Sequence, residues 1–277
     1  MRSGSVATLR ERIERLAQAA PAPDAVRLAV GGVVCGTLSP PVAWTLLSAG
    51  FARQCPASPG MIGTIALADW PEDPAERNQR LGAIARHLLQ NGFSGPWRDE
   101  LLAIRPDPDR PPLGCIDRSA VRALGLPTES VHLNGYAADG RMVVCLRAMH
   151  KRVDPGLWDN LAGGMVAAGE DLRTAVAREA LEEAGLVLDG LPVRVGGRIP
   201  VSRPIVEGLL VETVHVFDVD LPEGIRLENR DGEVARIEVR SIDDVLAAIP
   251  RGEFTIEAAL SALDSLERRG TAGASPS

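Results

Sequence analysis

Residues 164–186 read GMVAAGEDLRTAVAREALEEAGL, and three acids within them, Glu179, Glu182 and Glu183, decide how the rest of the chain is read. The stretch predicts a helix from about Asp171 to Ala184, with Gly185 as its C-terminal stop. At offsets of three and four, the three carboxylates fall within an arc of about 100° on one helix face. Like charges so spaced weaken an isolated helix by roughly a few tenths of a kcal/mol per pair. Hard divalent cations with oxygen ligands are their natural complement. Arg178 lies beside them and can pair with one acid or orient another. The competing reading is a solvated acidic face, because glutamate is a good helix former and is commonly exposed.

The spacing of the whole stretch separates those readings. Gly164, five residues, Glu170, seven residues, Arg178-Glu179, aliphatic Ala180, one residue, Glu182-Glu183, one residue, Gly185 and Leu186 follow one another in that order. This resembles the Nudix box, G-x5-E-x7-R-E-U-x-E-E-x-G-U with U aliphatic; Ala180 is smaller than the usual residue there. The resemblance implies an α/β fold, a Nudix α/β/α sandwich with a mixed sheet. It also implies Mg²⁺ or Mn²⁺ held by Glu179, Glu182, Glu183 and the Gly164 carbonyl, with Glu182 and Glu183 in the catalytic set. Glu170 and Arg178 would brace the loop and helix, as Gly185 ends the helix. The implied chemistry is attack of water on a phosphorus of a nucleoside or other organic diphosphate.

A narrower resemblance covers roughly residues 25–265. HLNGYAADG (132–140), DPGLWDNLAGG (154–164), EGLLVETVHVFDVDLP (207–222) and NRDGEV (229–234), with FSGPWRDELLAI upstream, are similar to the Nudix group related to thiamine pyrophosphokinase. That group implies hydrolysis of oxo- or oxy-thiamine diphosphate to the monophosphate and phosphate. It places a carboxylate where Glu233 stands, as a further metal ligand or as the base; the rival reading is a turn residue beside Asp231-Gly232. The group's usual R-R-S-x-x-K run is replaced by Arg147, Ala148-Met149-His150 and Lys151. Arg147 and Lys151 remain candidates for phosphate oxygens, against a surface-strand reading of the arginine. Asn134 and Tyr136 are candidates for the wall around an organic ring and Trp158 for stacking on it, each against a packing role. His132, His150 and His215 show no ligand spacing. Gly196-Gly197 lacks the strand-helix context of a phosphate loop.

Around these motifs the composition is that of a globular chain. Thirty cations, of which only Lys151 is lysine, face 37 acids, and the net charge of −7 argues against a general polyanion binder. Four scattered cysteines without a Cys-x-x-Cys pair suggest neither zinc nor disulfides, and a reduced, cytoplasmic setting is expected. No export signal is read, and the most apolar stretch, Leu28 to Ala52, is broken by Pro40-Pro41 and glycines, so no membrane span is expected. With 277 residues the chain exceeds a single domain of typical size. The expected division is a smaller N-terminal α/β domain (1–127), the Nudix domain (128–268) and a disordered tail (269–277).

Within the first unit, helices are predicted at Leu9–Ala20, Val42–Ala52 and about Pro74–Gln90. VRLAVGGVVCGTLSP predicts a strand pair with a glycine turn, and RPDPDRPP (105–112) a loop. In the second, a hairpin turning at Asp139-Gly140 is followed by the acidic helix, strands at VRVGGRIPV, GLLVETVHVFDVDL and VARIEVRSI, and helices at Ile242–Ile249 and Thr255–Arg268. The expected partner is a small-molecule diphosphate, with no nucleic acid and no membrane. The alternatives are a hydrolase of ADP-ribose or another nucleoside diphosphate, a catalytically silent diphosphate-binding sensor or scaffold, and an isopentenyl-diphosphate isomerase. For the last, Cys145 has no matching second motif.

Overall fold

The computed structural model describes residues 3–56, 63–107 and 110–272. The first helix, α1 (Ser3–Ala17), is followed by β1 (Val26–Val30), β2 (Val33–Leu38), α2 (Pro40–Ser48), β3 (Ala52–Gln54), β4 (Thr64–Leu67) and α3 (Pro74–Gln90). Two short strands, β5 (Leu101–Ala103) and β6 (Cys115–Asp117), then lead into the single turn α4 (Arg118–Val121). The first four strands form a sheet in the order β2-β1-β4-β3, with β1 and β4 parallel. Gly31-Gly32 makes the expected turn, both residues at positive φ. Leu81, Ile84, Ala85 and Leu88 put one face of α3 into a core with Leu28, Val30, Leu46 and Ile65. The second helix is shorter than its sequence predicts: Gly50 turns the chain at φ 73°, the Phe51 amide donates to the Leu46 carbonyl, and Ala52 already begins β3.

The second half contains β7 (Pro127–Tyr136), β8 (Met142–Arg147), β9 (Trp158–Asp159), β10 (Ala162–Met165), α5 (Leu172–Ala184), β11 (Val193–Ile205), β12 (Gly208–Asp220), β13 (Val234–Arg240), α6 (Ile242–Ala248) and α7 (Ile256–Ala272). Its sheet runs β11-β12-β7-β8-β13, with β10 added on β7 and β9 on β8. The sheet is mixed because β12 and β7 pair in parallel from Val211↔Pro127 to Asp220↔Tyr136, whereas its other pairings are antiparallel. Strand alternation divides the side chains between two cores. Val131, Leu133 and Val143 meet Ala175, Val176 and Ala180 of α5. Tyr136, Met142, Val144, Val214 and Val216 meet Ala258, Ala259 and Leu263 of α7 on the other side. This is the α/β/α sandwich expected from the sequence, with a further α/β part before it.

Three details differ from the sequence reading. The hairpin at Asp139-Gly140 exists, but β7 and β8 pair only at Gly135↔Val143 and Tyr136↔Met142, because upstream β7 takes β10 and β12 as neighbours. Helix α1, grouped above with the N-terminal unit, buries Ile13 and Ala17 in the α7 core. Arg10 pairs with Glu267 at 2.7 Å, and Gln18 donates to the Pro200 carbonyl at 2.6 Å. Helix α7 extends to Ala272, beyond the expected end at Arg268, and the remainder of the expected tail lies outside the described residues, as do residues 108 and 109 of the RPDPDRPP segment. No helix among the described residues is long and apolar enough to cross a membrane.

Candidate active site

The box helix α5 is fixed at both ends by its own sequence. The Asp171 carboxylate accepts from the Thr174 amide at 2.8 Å, and Gly185 adopts φ 61°, the left-handed conformation that releases the chain toward Leu186. Between those caps Glu179 and Glu183 turn inward and are buried, while Glu182 stays half exposed. Arg178 forks onto Glu170, Nε to Oε1 at 2.9 Å and Nη2 to Oε2 at 3.0 Å. Its remaining bonds run from Nη1 to Glu179 at 2.7 Å and Glu182 at 3.2 Å, and from Nη2 to the Met165 carbonyl at 3.0 Å. The Ala167 amide donates to Glu170 at 3.0 Å, so one planar guanidinium ties loop 165–170 to the acidic face.

Glycine at 164 is required sterically. A methyl group there would lie 2.6 Å from Glu179 Oε2 and closer still to Oε1 and Cδ. Burial pushes the Glu179 carboxyl up, against the pull of Arg178. The Glu183 carboxyl is driven well above the usual carboxylate range, by burial first and then by Asp159 and Glu179. Its Oε2 accepts from the Gly163 amide at 2.9 Å. Carboxylate oxygens of Glu183, Asp231 and Glu233 lie within 4.8 Å of one another. Glu233 is ion-paired with Lys151; burial alone would raise its pKa, but the ammonium outweighs burial and holds it low. Asp231 was read only as part of a turn, and its carboxylate indeed accepts from the Glu233 amide at 2.8 Å. Its place beside Glu183 comes from the turn's position in the fold.

Glu179, Glu182, Asp231 and Glu233 line a cleft of about 580 Å³ formed by both halves of the chain, together with Arg147 and Lys151; Glu183 is buried beside Asp231 and Glu233. Arg147 also spends its donors locally, on Asp159 at 2.8 Å and the Val153 and Asp154 carbonyls at 3.0 and 3.1 Å. The three ring-binding candidates are not at the cleft. Asn134 is fully buried, donating to Asp218 and the Ser261 hydroxyl at 3.1 Å each and accepting from Asn160 at 2.7 Å. The Tyr136 hydroxyl meets that of Ser265 at 2.6 Å, with Arg269 stacked 3.7 Å over its ring. Both project from the face of β7 that carries Ser130 and His132, two residues that do line the cleft. Helix α7 covers the strand's C-terminal part, through Ser261 and Ser265, and leaves its middle open, so the packing role fits both residues. Trp158 packs beneath Arg240, 3.7 Å from its ring centroid, within the α7 core.

His132 bonds Asn160 at 2.7 Å and His150 lines the cleft, whereas His215 pairs with Glu129 at 3.0 Å. The N-terminal half contributes Arg98, Glu100, Arg118, Ser119 and Arg122 to the cleft wall; Arg98 and Glu100 fall in the FSGPWRDELLAI segment, and the other three in no motif read from the sequence. The four cysteines are unpaired; Cys145 is buried, its thiol donating to the Leu161 carbonyl at 3.2 Å, and burial raises its pKa well above that of an ordinary thiol.

The family model described as the NUDIX domain matches residues 130–260. The uncharacterized protein YJR142W of Saccharomyces cerevisiae is 28% identical over 220 residues, covering 72% of this chain and 64% of its own length. Nudix hydrolase 20, chloroplastic, of Arabidopsis thaliana is 26% identical over 216 residues, covering 75% of this chain and 57% of its own. An isopentenyl-diphosphate Delta-isomerase of Leifsonia xyli is 37% identical over 99 residues, or 35% of this chain and 51% of that enzyme. The chain thus spans about half to two thirds of the length of these relatives.

Proposed function

Because the NUDIX domain model matches residues 130–260, we propose that the chain is a Nudix-family, metal-dependent pyrophosphohydrolase that cleaves an organic diphosphate to the monophosphate and phosphate. The observation that carries the proposal is a set of five carboxylates from α5 and the turn before β13: Glu179, Glu182, Asp231 and Glu233 line the cleft, and Glu183 is buried within 4.8 Å of Asp231 and Glu233. The donor set suits Mg²⁺ or Mn²⁺. Two of its acids, Glu179 and Glu183, are raised first by burial and then by neighbouring negative charges, and a hard cation is the natural complement of such oxygens. Glu179, Glu182, Glu183 and the backbone at Gly164 would hold it, with Asp231 beside them. The bound ion would neutralise phosphate oxygens and make water a better nucleophile.

The chain's own groups divide the remaining work. Arg178 and Glu170 fix the loop and helix that present the carboxylates. Lys151, paired with Glu233 and lining the cleft, is a point charge for a phosphate oxygen, and Arg147 adds a second cation there, held in place by Asp159 and the Val153 and Asp154 carbonyls. Glu233, kept ionised, accepts the proton of the attacking water. A cleft of about 580 Å³ has room for an organic group beyond the diphosphate, in the range usual for small-ligand sites. The narrower resemblance in segments 132–140, 154–164, 207–222 and 229–234 favours an oxo- or oxy-thiamine diphosphate over ADP-ribose. A cytoplasmic setting belongs to the same proposal, in keeping with four unpaired cysteines.

An isomerase reading would need a reactive thiol, and Cys145 is buried, neutral and committed to the Leu161 carbonyl. A silent binding domain would not be expected to keep all the carboxylates. The test is a diphosphate panel with Mg²⁺ and Mn²⁺, scored by product. Monophosphate and phosphate from a thiamine diphosphate analogue, abolished by Glu182→Gln with the fold intact, is the expected result. Faster cleavage of ADP-ribose overturns the substrate, and undiminished turnover by the variant overturns the metal assignment.

A further inference from the structure

On the cleft wall supplied by the N-terminal half, two of the buried donors without a hydrogen-bond partner among the described residues stand close together: Arg122 Nη1 and the Ser119 hydroxyl. They lie three residues apart, at the end of α4, and both residues line the cleft. The guanidinium is held from its other end, Nη2 donating to Glu212 Oε2 at 2.9 Å, and the Arg122 carbonyl accepts from the Leu209 amide at 3.0 Å. An uncompensated buried donor is costly, and a small side-chain rotation toward an acceptor in the cleft would remove that cost.

Glu212 is the neighbour that defines which acceptor fits. It also lines the cleft, and although burial opposes its charge, Arg122 and His132 outweigh burial and hold its carboxyl low. Its Oε2 accepts from Arg122 and, at 3.3 Å, from Thr128; Oε1 accepts from Ser130 at 3.0 Å and has a lone pair left. A phosphate would satisfy the arginine but meet the carboxylate with like charge. A plain hydrocarbon would leave donor and acceptor both unmatched. A planar ring edge carrying a carbonyl or ring-nitrogen acceptor next to an N–H satisfies both.

Resting on the hydrolase reading above, we propose that Ser119, Arg122 and Glu212 form the subsite that reads the organic end of the diphosphate. It takes a heteroaromatic ring whose edge offers an acceptor to Arg122 and Ser119 and a donor to Glu212. The N-terminal half is then the part of the chain that chooses the substrate, and the box helix the part that cleaves it. A site built to bond such an edge rejects an analogue lacking it far more strongly than an apolar pocket rejects a polar group.

The test compares oxythiamine diphosphate, whose 4-oxopyrimidine has this edge, with dimethylallyl diphosphate, which has the same reacting group and no polar edge. Wild type, Ser119→Ala and Arg122→Lys are measured with Mg²⁺ for kcat and KM, and by calorimetric binding without metal. The expected result is a KM for oxythiamine diphosphate raised about tenfold or more in each variant, with kcat nearly unchanged and little change for dimethylallyl diphosphate. Ser119→Ala should melt like wild type, since the lost hydroxyl has no protein partner, so a weakened KM there cannot come from a damaged fold. Equal losses on both substrates, or none, overturn the subsite. Should wild type cleave neither compound, the hydrolase reading fails. Calorimetry then judges the subsite alone: oxythiamine diphosphate binding weakened by Ser119→Ala upholds it, and absence of binding overturns it.

Discussion

Replacing Gly164 by alanine is a sharp test of how the box is held together. The added methyl would stand 2.6 Å from Glu179 Oε2, with Oε1 and Cδ nearer. Carbon and oxygen atoms settle near 3.5 Å, so the carboxylate must withdraw by roughly 1 Å or more. It cannot do so freely, because Glu179 is buried and held by Arg178 Nη1 at 2.7 Å. Overpacking of this kind usually costs about 1–3 kcal/mol, a fall of a few degrees in melting midpoint for a chain of this size. Activity should suffer more, since a misplacement of about 1 Å at a reacting centre can lower the rate roughly 100-fold. Initial rates at saturating Mg²⁺, the Mg²⁺ concentration giving half-maximal rate, and thermal melts would be measured together. Gly190→Ala is the control: it strains the backbone of a glycine at positive φ, 79°, but its methyl meets nothing within 4 Å. The control should lose stability and keep its rate. Wild-type kcat and Mg²⁺ response in Gly164→Ala, or an equal rate loss in the control, would refute the reasoning.

Two further outcomes follow from buried acids. Glu183→Gln should melt higher than wild type in EDTA at pH 8 while losing turnover. Burial, Asp159 and Glu179 raise the folded-state pKa of Glu183, so stability falls as pH rises from the unfolded value through the folded one, and the amide escapes that loss. An equal or lower midpoint would count against it. Tyr136, the single tyrosine, is pushed up to about 12 by burial, against the help of Ser265. For an acid with a raised folded value, stability is complete below the unfolded pKa of about 10 and declines between there and about 12, by roughly 2–3 kcal/mol. Absorbance of the phenolate in the folded protein should therefore appear near pH 12 or with unfolding, and a free titration near pH 10 would show that the ring is open to solvent.

The box was legible because a helix converts spacing directly into a face, so Glu179, Glu182, Glu183, Arg178 and Glu170 could be placed relative to one another before any tertiary information. Their unequal burial was not legible, since it depends on how α5 tilts over β10. Strand parity was equally informative about β7: Asn134 and Tyr136 do share a face with the cleft-lining Ser130 and His132. Where along that face the ligand ends and α7 begins is decided by residues 256–272, more than a hundred positions away, and no local pattern carries it. The same holds for Asp231, whose turn is ordinary in sequence and acquires a possible metal only by landing beside Glu183. The N-terminal wall is the extreme case: Arg118, Ser119 and Arg122 belong to no motif and become part of a site only by facing the second half.

The docking of α1 on α7 has a kinetic consequence. The core that contains Ile13 and Ala17 cannot close until Ile256 and the residues after it exist. At about 5–20 residues per second, α1 leaves the ribosome on the order of 10–50 s before its partner. Throughout that interval the apolar stripe of α1 lacks its partner while the sheet it will seal is being assembled. The α1–α7 contact joins segments of very long sequence separation, the kind that forms slowly. Shortening α7 would leave the carboxylates of the box untouched in sequence yet remove the latch that completes the body carrying them.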